Sequence, residues 1–328
     1  MPIRAVVTGI GHAVPAKVLS NADLERLVDT SDEWITQRTG IKERRICESH
    51  ETASSLGTIA ANEALADANI DAAKLDMIIV GCVTGDYQFP STSCLIQHAI
   101  GARKAGAFDV GAACAGFIYS LATGAALIES GQCKRVLVVG VDILSKIVDY
   151  TDRSTCVLFG DGGGAVVLEG VEGSDRGIEK TVLLADGSGQ GHINLEFGGS
   201  KYPLRDPASA DRRKTMHMAG AEVYRFAVTA MGDACLRVLA ELNLTPNDID
   251  LFVPHQANLR IIQSAAERLG LPDEKVFVNV HKYGNTSGGS IPLALYEADR
   301  EGRLKPGMRV LTVGFGAGLV WGANIIRW

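Results

Sequence analysis

The chain lacks any Cys-x-x-Cys pair. Its seven cysteines, Cys47, Cys82, Cys94, Cys114, Cys133, Cys156 and Cys235, are scattered and odd in number. That argues against a disulfide framework or a zinc site and suits a reducing cytoplasm. No apolar run approaches the length of a bilayer span. The opening Met1-Pro-Ile-Arg-Ala-Val-Val-Thr-Gly-Ile10 lacks the long apolar core of a secretion signal and reads as a first strand. Positive charge is also short. With 32 basic and 38 acidic residues the net charge is −6, so no global attraction to nucleic acid or an anionic membrane is expected. Any basic docking surface must be local. His12, His50, His98, His192, His217 and His281 show no spacing that suits a metal.

What is present is apolar and repetitive. Nearly half of the 328 residues are hydrophobic, enough for a large core in one or two units. Arg135-Val-Leu-Val-Val-Gly140 returns as Arg309-Val-Leu-Thr-Val-Gly314, and Leu65-Ala-Asp-Ala-Asn-Ile70 as Leu239-Ala-Glu-Leu-Asn-Leu244, both at an offset of 174. Two matches in one register indicate two similar halves, 1–172 and 173–328, joined at the Gly- and charge-rich Glu169–Gly177 stretch. Strand-like runs fall at 3–9, 76–82, 135–141, 163–169, 250–254, 309–315 and 319–326. Helical patterns fall at 53–68, 112–130, 217–242, 258–269 and 290–300. Continuous Val/Ile/Leu runs flanked by helices predict strands buried on both faces, in a layered α/β/α/β/α fold. Functional groups should gather where strand ends of the two halves meet.

Three short patterns stand at such junctions: Ala112-Ala-Cys114-Ala-Gly116, Pro254-His255-Gln-Ala-Asn258 and Tyr283-Gly-Asn285-Thr-Ser-Gly-Gly289. Cys114 falls where a strand turns into a helix. The unsatisfied N–H groups of a first turn and the positive helix end favour an anion, so the thiol is expected to lose its proton near neutral pH. A cysteine with a histidine suits acyl transfer through a thioester, and backbone N–H groups of the Gly314-Phe-Gly-Ala-Gly318 turn could hold an oxyanion. Taken singly, each has a plainer reading: a small core cysteine, a satisfied strand-end histidine, a turn asparagine. Gly160-Asp-Gly-Gly-Gly164 and Gly314–Gly318 both run on into strands, unlike phosphate or dinucleotide loops, which open helices.

Together these patterns resemble the β-ketoacyl-acyl carrier protein synthase III family of thiolase-fold condensing enzymes. The resemblance runs almost end to end, through Thr30-Ser-Asp-Glu-Trp-Ile-Thr-Gln-Arg-Thr-Gly-Ile41, Phe89-Pro-Ser-Thr92, Asp109–Gly116, Thr151-Asp-Arg-Ser-Thr155, Phe159-Gly-Asp-Gly162, His255-Gln-Ala-Asn-Leu-Arg260 and Tyr283-Gly-Asn-Thr-Ser287. It implies an acyltransferase that takes an acyl group from acyl-CoA onto Cys114 and condenses it with malonyl-acyl carrier protein, initiating fatty acid synthesis. His255 and Asn285 would hold the malonyl thioester carbonyl, and the N–H groups of Cys114 and Gly316 an oxyanion. Trp34, Arg38, Arg153 and Asn258 match CoA contacts. Phe89, Leu144, Leu158, Phe159, Leu195 and Leu204 are candidates for the acyl pocket, with Phe89 reaching into that of a homodimer partner. Arg225, Arg260 and Arg268 match positions that dock the acidic carrier. No cofactor or metal is implied, acyl-CoA being a substrate.

Some positions depart from the family's commonest pattern: Gly288-Gly289 replaces Ala-Ala, His281 an acidic residue, and Ala221 a longer polar one. They are expected to loosen or recharge the neighbourhood of the site and to bear on substrate range. The rival readings are a related enzyme priming polyketide or alkylquinolone synthesis, a cysteine hydrolase, and a non-catalytic partner subunit. The two-half organisation speaks against the hydrolase and the presence of Cys114 against the subunit.

Overall fold

A computed structural model describes all 328 residues. The strands are β1 (Ile3–Ala13), β2 (Val18–Ser20), β3 (Glu43–Arg45), β4 (Met77–Gly81), β5 (Gly106–Val110), β6 (Arg135–Ile143), β7 (Asp161–Glu172), β8 (Gly177–Ala185), β9 (Ile193–Asn194), β10 (His217–Met218), β11 (Leu251–Pro254), β12 (Arg309–Gly316) and β13 (Val320–Arg327). The helices are α1 (Asn21–Leu24), α2 (Asp32–Thr39), α3 (Ala53–Asp67), α4 (Thr92–Ala99), α5 (Gly116–Glu129), α6 (Arg153–Cys156), α7 (Gly220–Ala240), α8 (Leu259–Leu269), α9 (Val280–Tyr283) and α10 (Ser290–Arg300).

Two sheets carry the fold, one in the order β1-β7-β6-β4-β5 and the other β11-β12-β13-β8. Within the first, β4 pairs parallel with β5 and β6, and β7 runs antiparallel to both β6 and β1. The second repeats this arrangement: β11 is parallel to β12, and β13 is antiparallel to β12 and β8. Hence β1, β4 and β6 correspond to β8, β11 and β12 at the offset found in the sequence, and β7 corresponds to β13. Of the strands in these two sheets only β5 has no counterpart, and it lies at an edge.

Helices α5 and α10 touch both sheets and form the central layer, while α3 and α4 cover the first sheet and α7, with α8 packed against it, the second. The order α/β/α/β/α follows. Helix α5 is apolar nearly all round, as a helix enclosed by two sheets must be. Phe117, Ile118, Leu121 and Ile128 are fully or almost fully buried, each contributing roughly 1.5–3 kcal/mol by leaving water. No helix is long and apolar enough to cross a membrane.

The helix predicted over 112–130 is split. Residues Ala113–Ala115 form a 3₁₀ turn and the α-helix begins at Gly116. A matching 3₁₀ turn, Ser287–Gly289, precedes α10. These paired turns point into the seam between the sheets.

Candidate active site

Each half delivers one wall of the site. Cys114 sits in the 3₁₀ turn that leads into α5. His255 directly follows β11 and is anchored by its backbone N–H, which donates to Val313 O of β12 at 2.7 Å. Asn285 is tied to the other half: its N–H donates to Leu158 O at 2.8 Å and its carbonyl accepts from Gly160 N–H at 3.0 Å. Its side-chain Oδ1 accepts the Ser287 N–H at 2.8 Å. With the oxygen so engaged, the amide nitrogen is the free end, a donor presented to the site.

One cavity of about 240 Å³ joins Cys114, His255, Asn285 and Gly316. Apolar side chains dominate its lining, which limits water and strengthens any hydrogen bond formed inside. His255 is 1% exposed. Its Nδ1 lies 2.5 Å from Ser290 Oγ and its Nε2 has no protein partner. Burial without a nearby carboxylate lowers its pKa to about 3, so the ring is neutral throughout the physiological range.

The cysteine corrects an expectation. Burial pushes the Cys114 thiol up to about 12, and the Asp142 carboxylate adds to the rise; a hydrogen bond with Ser287 works against it. The side chain keeps partial exposure because it opens on the cavity, not on bulk solvent. The resting sulfur is therefore a thiol, not the thiolate that a helix start alone suggests. Asp142 itself is fully buried: its carboxylate accepts from Val83 N–H at 2.9 Å, Thr84 N–H at 3.1 Å, Thr84 Oγ1 at 2.8 Å and Gly288 N–H at 3.1 Å. It ties β4, β6 and the Ser287–Gly289 turn together. Gly316 fits only as glycine, since a Cβ there would lie 2.6 Å from Cys114 N.

Of the acyl-pocket candidates, Leu144, Leu158 and Phe159 line the cavity. Leu195 and Leu204 do not; they are 41% and 64% exposed. The residues that line it from that segment are Ile193 on β9 and Met216 and Met218 at β10. Pairing of Ile193 with Met218 in the β9–β10 ladder, and the Met216 N–H donating to Ile147 O at 2.8 Å, turn these side chains inward. Phe89 is 84% exposed and lies outside this cavity.

Outside the cavity lining, the guanidinium carbons of Arg153 and Arg38 stand 5.1 Å and 5.9 Å from the centre of the Trp34 ring. Asn258 lines the cavity and caps α8, its Oδ1 accepting from Arg260 N–H at 2.9 Å. Its amide donates to Arg38 O, and Arg260 Nε donates to Gln37 O, both at 3.1 Å, so α8 holds the end of α2. Arg225, Arg260 and Arg268 are all exposed. Arg225 is paired with Glu222 and Arg268 with Asp233, which leaves Arg260 without an acidic partner. The Gly288-Gly289 departure does not loosen the site. A Cβ on Gly289 would lie 2.3 Å from Gly162 O, so the glycines let the turn press against β7. His281, on α9, and Ala221, on α7, are not among the lining residues.

Sequence and structure comparisons place this arrangement among known proteins. Residues 108–187 match the family model for 3-oxoacyl-[acyl-carrier-protein] synthase III, and residues 239–328 match the model for its C-terminal part. A β-ketoacyl-[acyl-carrier-protein] synthase III of Symbiobacterium thermophilum is 51% identical, over all of this chain and 99% of the relative. The chain belongs to the β-ketoacyl-[acyl-carrier-protein] synthase III family. Like other synthase III proteins it is a condensing acyltransferase of the thiolase fold. The crystal structure of the synthase III of Aquifex aeolicus superposes with a TM-score of 0.92 at 45% identity, covering 99% of this chain and 100% of that one. A priming β-ketosynthase of a polyketide pathway also superposes at 0.92, with 38% identity over 99% and 97% of the two chains.

Sequence alone assigns no role to Ser287, Ser290 or Asp142. Only the Ser-rich turn around Asn285 carried a signal for the two serines. Nothing in its local sequence sets Asp142 apart from any acid at a strand end.

Proposed function

We propose that this synthase III forms an acyl thioester on Cys114 from acyl-CoA. It then condenses that group with malonyl-acyl carrier protein to give a 3-oxoacyl carrier protein. The observation that supports the reading is the single apolar cavity shared by Cys114, His255, Asn285 and Gly316.

In the first half-reaction the thiol sulfur attacks the acyl-CoA carbonyl. The N–H groups of Cys114 and Gly316 hold the oxyanion, and the proton leaves with the departing CoA sulfur, so no charge is left behind. This suits a thiol whose resting pKa is high, because ionisation is needed only during the attack. The malonyl carrier enters next. His255 Nε2 and the Asn285 amide donate to its thioester carbonyl, where charge collects as carbon dioxide departs. The resulting enolate carbon attacks the acyl group on Cys114, the thioester C–S bond breaks, and the sulfur leaves as a thiolate that takes up a proton from water to restore the resting thiol.

Trp34, Arg38 and Arg153 serve the nucleotide end of CoA. An adenine between Trp34 and Arg153 needs two stacking distances, about 7 Å, so the 5.1 Å gap must widen as CoA enters. Exposed Arg153 can swing away, giving up a surface cation–π contact of about 0.5–1 kcal/mol together with its hydrogen bond to Asp29 O. The exposed Arg260 receives the acidic carrier, with Arg225 and Arg268 beside it. The reading includes the division into halves 1–172 and 173–328, action in a reducing cytoplasm without a resident cofactor, and a homodimer. Open edge strand β5 and the exposed apolar Tyr87, Phe89 and Phe108 are features that association of two copies would cover.

The test is intact-mass analysis after incubation with a panel of acyl-CoAs, comparing wild type with Cys114→Ala. A mass gain of one acyl group in the wild type alone is expected, and the preferred chain would be read directly. An equal adduct on Cys114→Ala removes the reading.

A further inference from the structure

The hydroxyl of Ser290 lies directly against the imidazole of His255. Its Oγ makes two contacts: His255 Nδ1 at 2.5 Å, and the backbone N–H of Gln256 at 3.3 Å. The second contact fixes the direction of the first. The Gln256 amide can only donate, so Oγ is an acceptor there. The Ser290 proton then needs an acceptor of its own, in a residue only 1% exposed, and His255 Nδ1 is the one polar atom within reach. If Nδ1 instead carried hydrogen and donated to Oγ, the serine hydroxyl would be left buried with nothing to accept it, which is the costly arrangement.

We infer that Ser290 is a positioning residue that donates to Nδ1 of His255, holding its proton on Nε2 and making that atom a permanent donor into the cavity. The second nitrogen has no protein partner, as a donor kept for substrate must have none. The surroundings hold the ring's backbone in place as well. Gln256 donates its side-chain amide to Pro254 O at 2.8 Å and Phe277 O at 3.2 Å, and accepts from Asn279 N–H and Val280 N–H at 2.9 Å and 3.1 Å. The Phe315 ring meets the imidazole edge-on at 5.7 Å. The ring therefore needs no rearrangement when a thioester carbonyl arrives. One consequence is a division of labour: with Nε2 protonated, His255 serves decarboxylation and is not the base that removes the Cys114 proton.

This rests on the condensation reading above, and the test separates the two. Wild-type protein labelled with ¹⁵N-histidine should show the His255 pair, identified as the one missing from His255→Gln, with Nε2 protonated and Nδ1 bare. The opposite tautomer overturns the inference without needing any Ser290 variant to fold. In Ser290→Ala, malonyl decarboxylation should fall about tenfold, the equivalent of about 1.4 kcal/mol for one hydrogen bond, while acylation of Cys114 keeps its wild-type rate. Equal losses in both steps, or none, also overturn it. Wild-type protein that never acquires an acyl group on Cys114 would instead defeat the condensation reading, leaving the ring's tautomer as found.

Discussion

Ala113 and Ser287, 174 residues apart, adopt the same left-handed backbone, with φ of 43° and 50°. Neither is glycine, so each turn holds strain of order 1–3 kcal/mol that its surroundings must enforce. Asn69 and Asn243 repeat the relationship at the same offset, both at φ 54°. The duplication therefore extends to individual backbone angles. At the site the two copies have diverged in chemistry while keeping their shape. One turn presents the sulfur of Cys114. The other places Ser287 against that thiol and directs the Gly288 N–H to Asp142.

The thiol's surroundings make a kinetic prediction. With Cys114 pushed to about 12 by burial, alkylation of the empty enzyme by iodoacetamide should quicken about tenfold per pH unit from pH 7 to pH 10, without levelling. Peptide mass mapping would separate it from exposed Cys94. A plateau near neutral pH would restore the helix-activated thiolate. Because the folded pKa lies above the unfolded value of 9.0, the native state binds more protons above that pH. This group therefore lowers stability as pH rises toward 12.

That reversal marks where sequence reading runs out. The apolar runs of β4, β6, β11 and β12 were legible because strands buried on both faces carry unbroken Val/Ile/Leu, and the 174-residue echo exposed the pairing of halves. Cys114, His255 and Asn285 were legible as strand-end residues in recognisable patterns. Burial was not. Asp142 and Ser287 come to Cys114 from other parts of the chain, so the thiol's acidity depends on packing that local sequence does not record. Strand β8 escaped notice because it is an edge strand, with charged Glu179 and Lys180 among its apolar residues. Leu195 and Leu204 lie in a segment without periodicity, where sequence does not tell which side chains face the cavity. The β9–β10 pairing turned Ile193 and Met218 inward instead.

The contact between the halves can be tested at Gly140. A Cβ there would meet Gly288 O at 2.2 Å and Pro292 Cγ at 3.2 Å, forcing the turn that carries Asn285 away from β6. Overpacking of this kind costs about 1–3 kcal/mol. Gly140→Ala should lower the thermal midpoint and slow condensation, whereas Gly199→Ala, with open space around it, should do neither. Equal melting of both variants with the wild type would show that the halves can separate slightly without penalty.

Asn285 separates the two half-reactions. Its amide is directed into the cavity by the Ser287 N–H bond to Oδ1, and it touches the second substrate in the proposed chemistry. Asn285→Ala should still accept the acyl group on Cys114 but lose about 10²–10³ in malonyl decarboxylation, as for removal of one donor from an oxyanion site. Release of ¹⁴C-labelled carbon dioxide from malonyl carrier measures the second step alone. Decarboxylation at the wild-type rate would take Asn285 out of the mechanism. His255 should add no acidic limb near pH 6.5 to this rate, because its pKa lies near 3.

Carrier recognition should depend unequally on the three arginines. Arg225 and Arg268 already spend charge on Glu222 and Asp233, while Arg260 bonds only the carbonyl of Gln37. Of these three, Arg260 is the cation whose field is not locally cancelled when an acidic carrier approaches α8. Reversing it, Arg260→Glu, should raise KM for malonyl carrier protein, and the effect should shrink as salt screens the attraction. The same change should leave KM for acyl-CoA nearly unaltered, provided α2 keeps its second tie through Asn258 and Arg38 O. Arg225→Glu and Arg268→Glu should act more weakly, since the native side chains are held by Glu222 and Asp233 and are less free to reach the carrier. A parallel rise in both KM values for Arg260→Glu would assign Arg260 to holding α2 and Trp34 in place, not to docking.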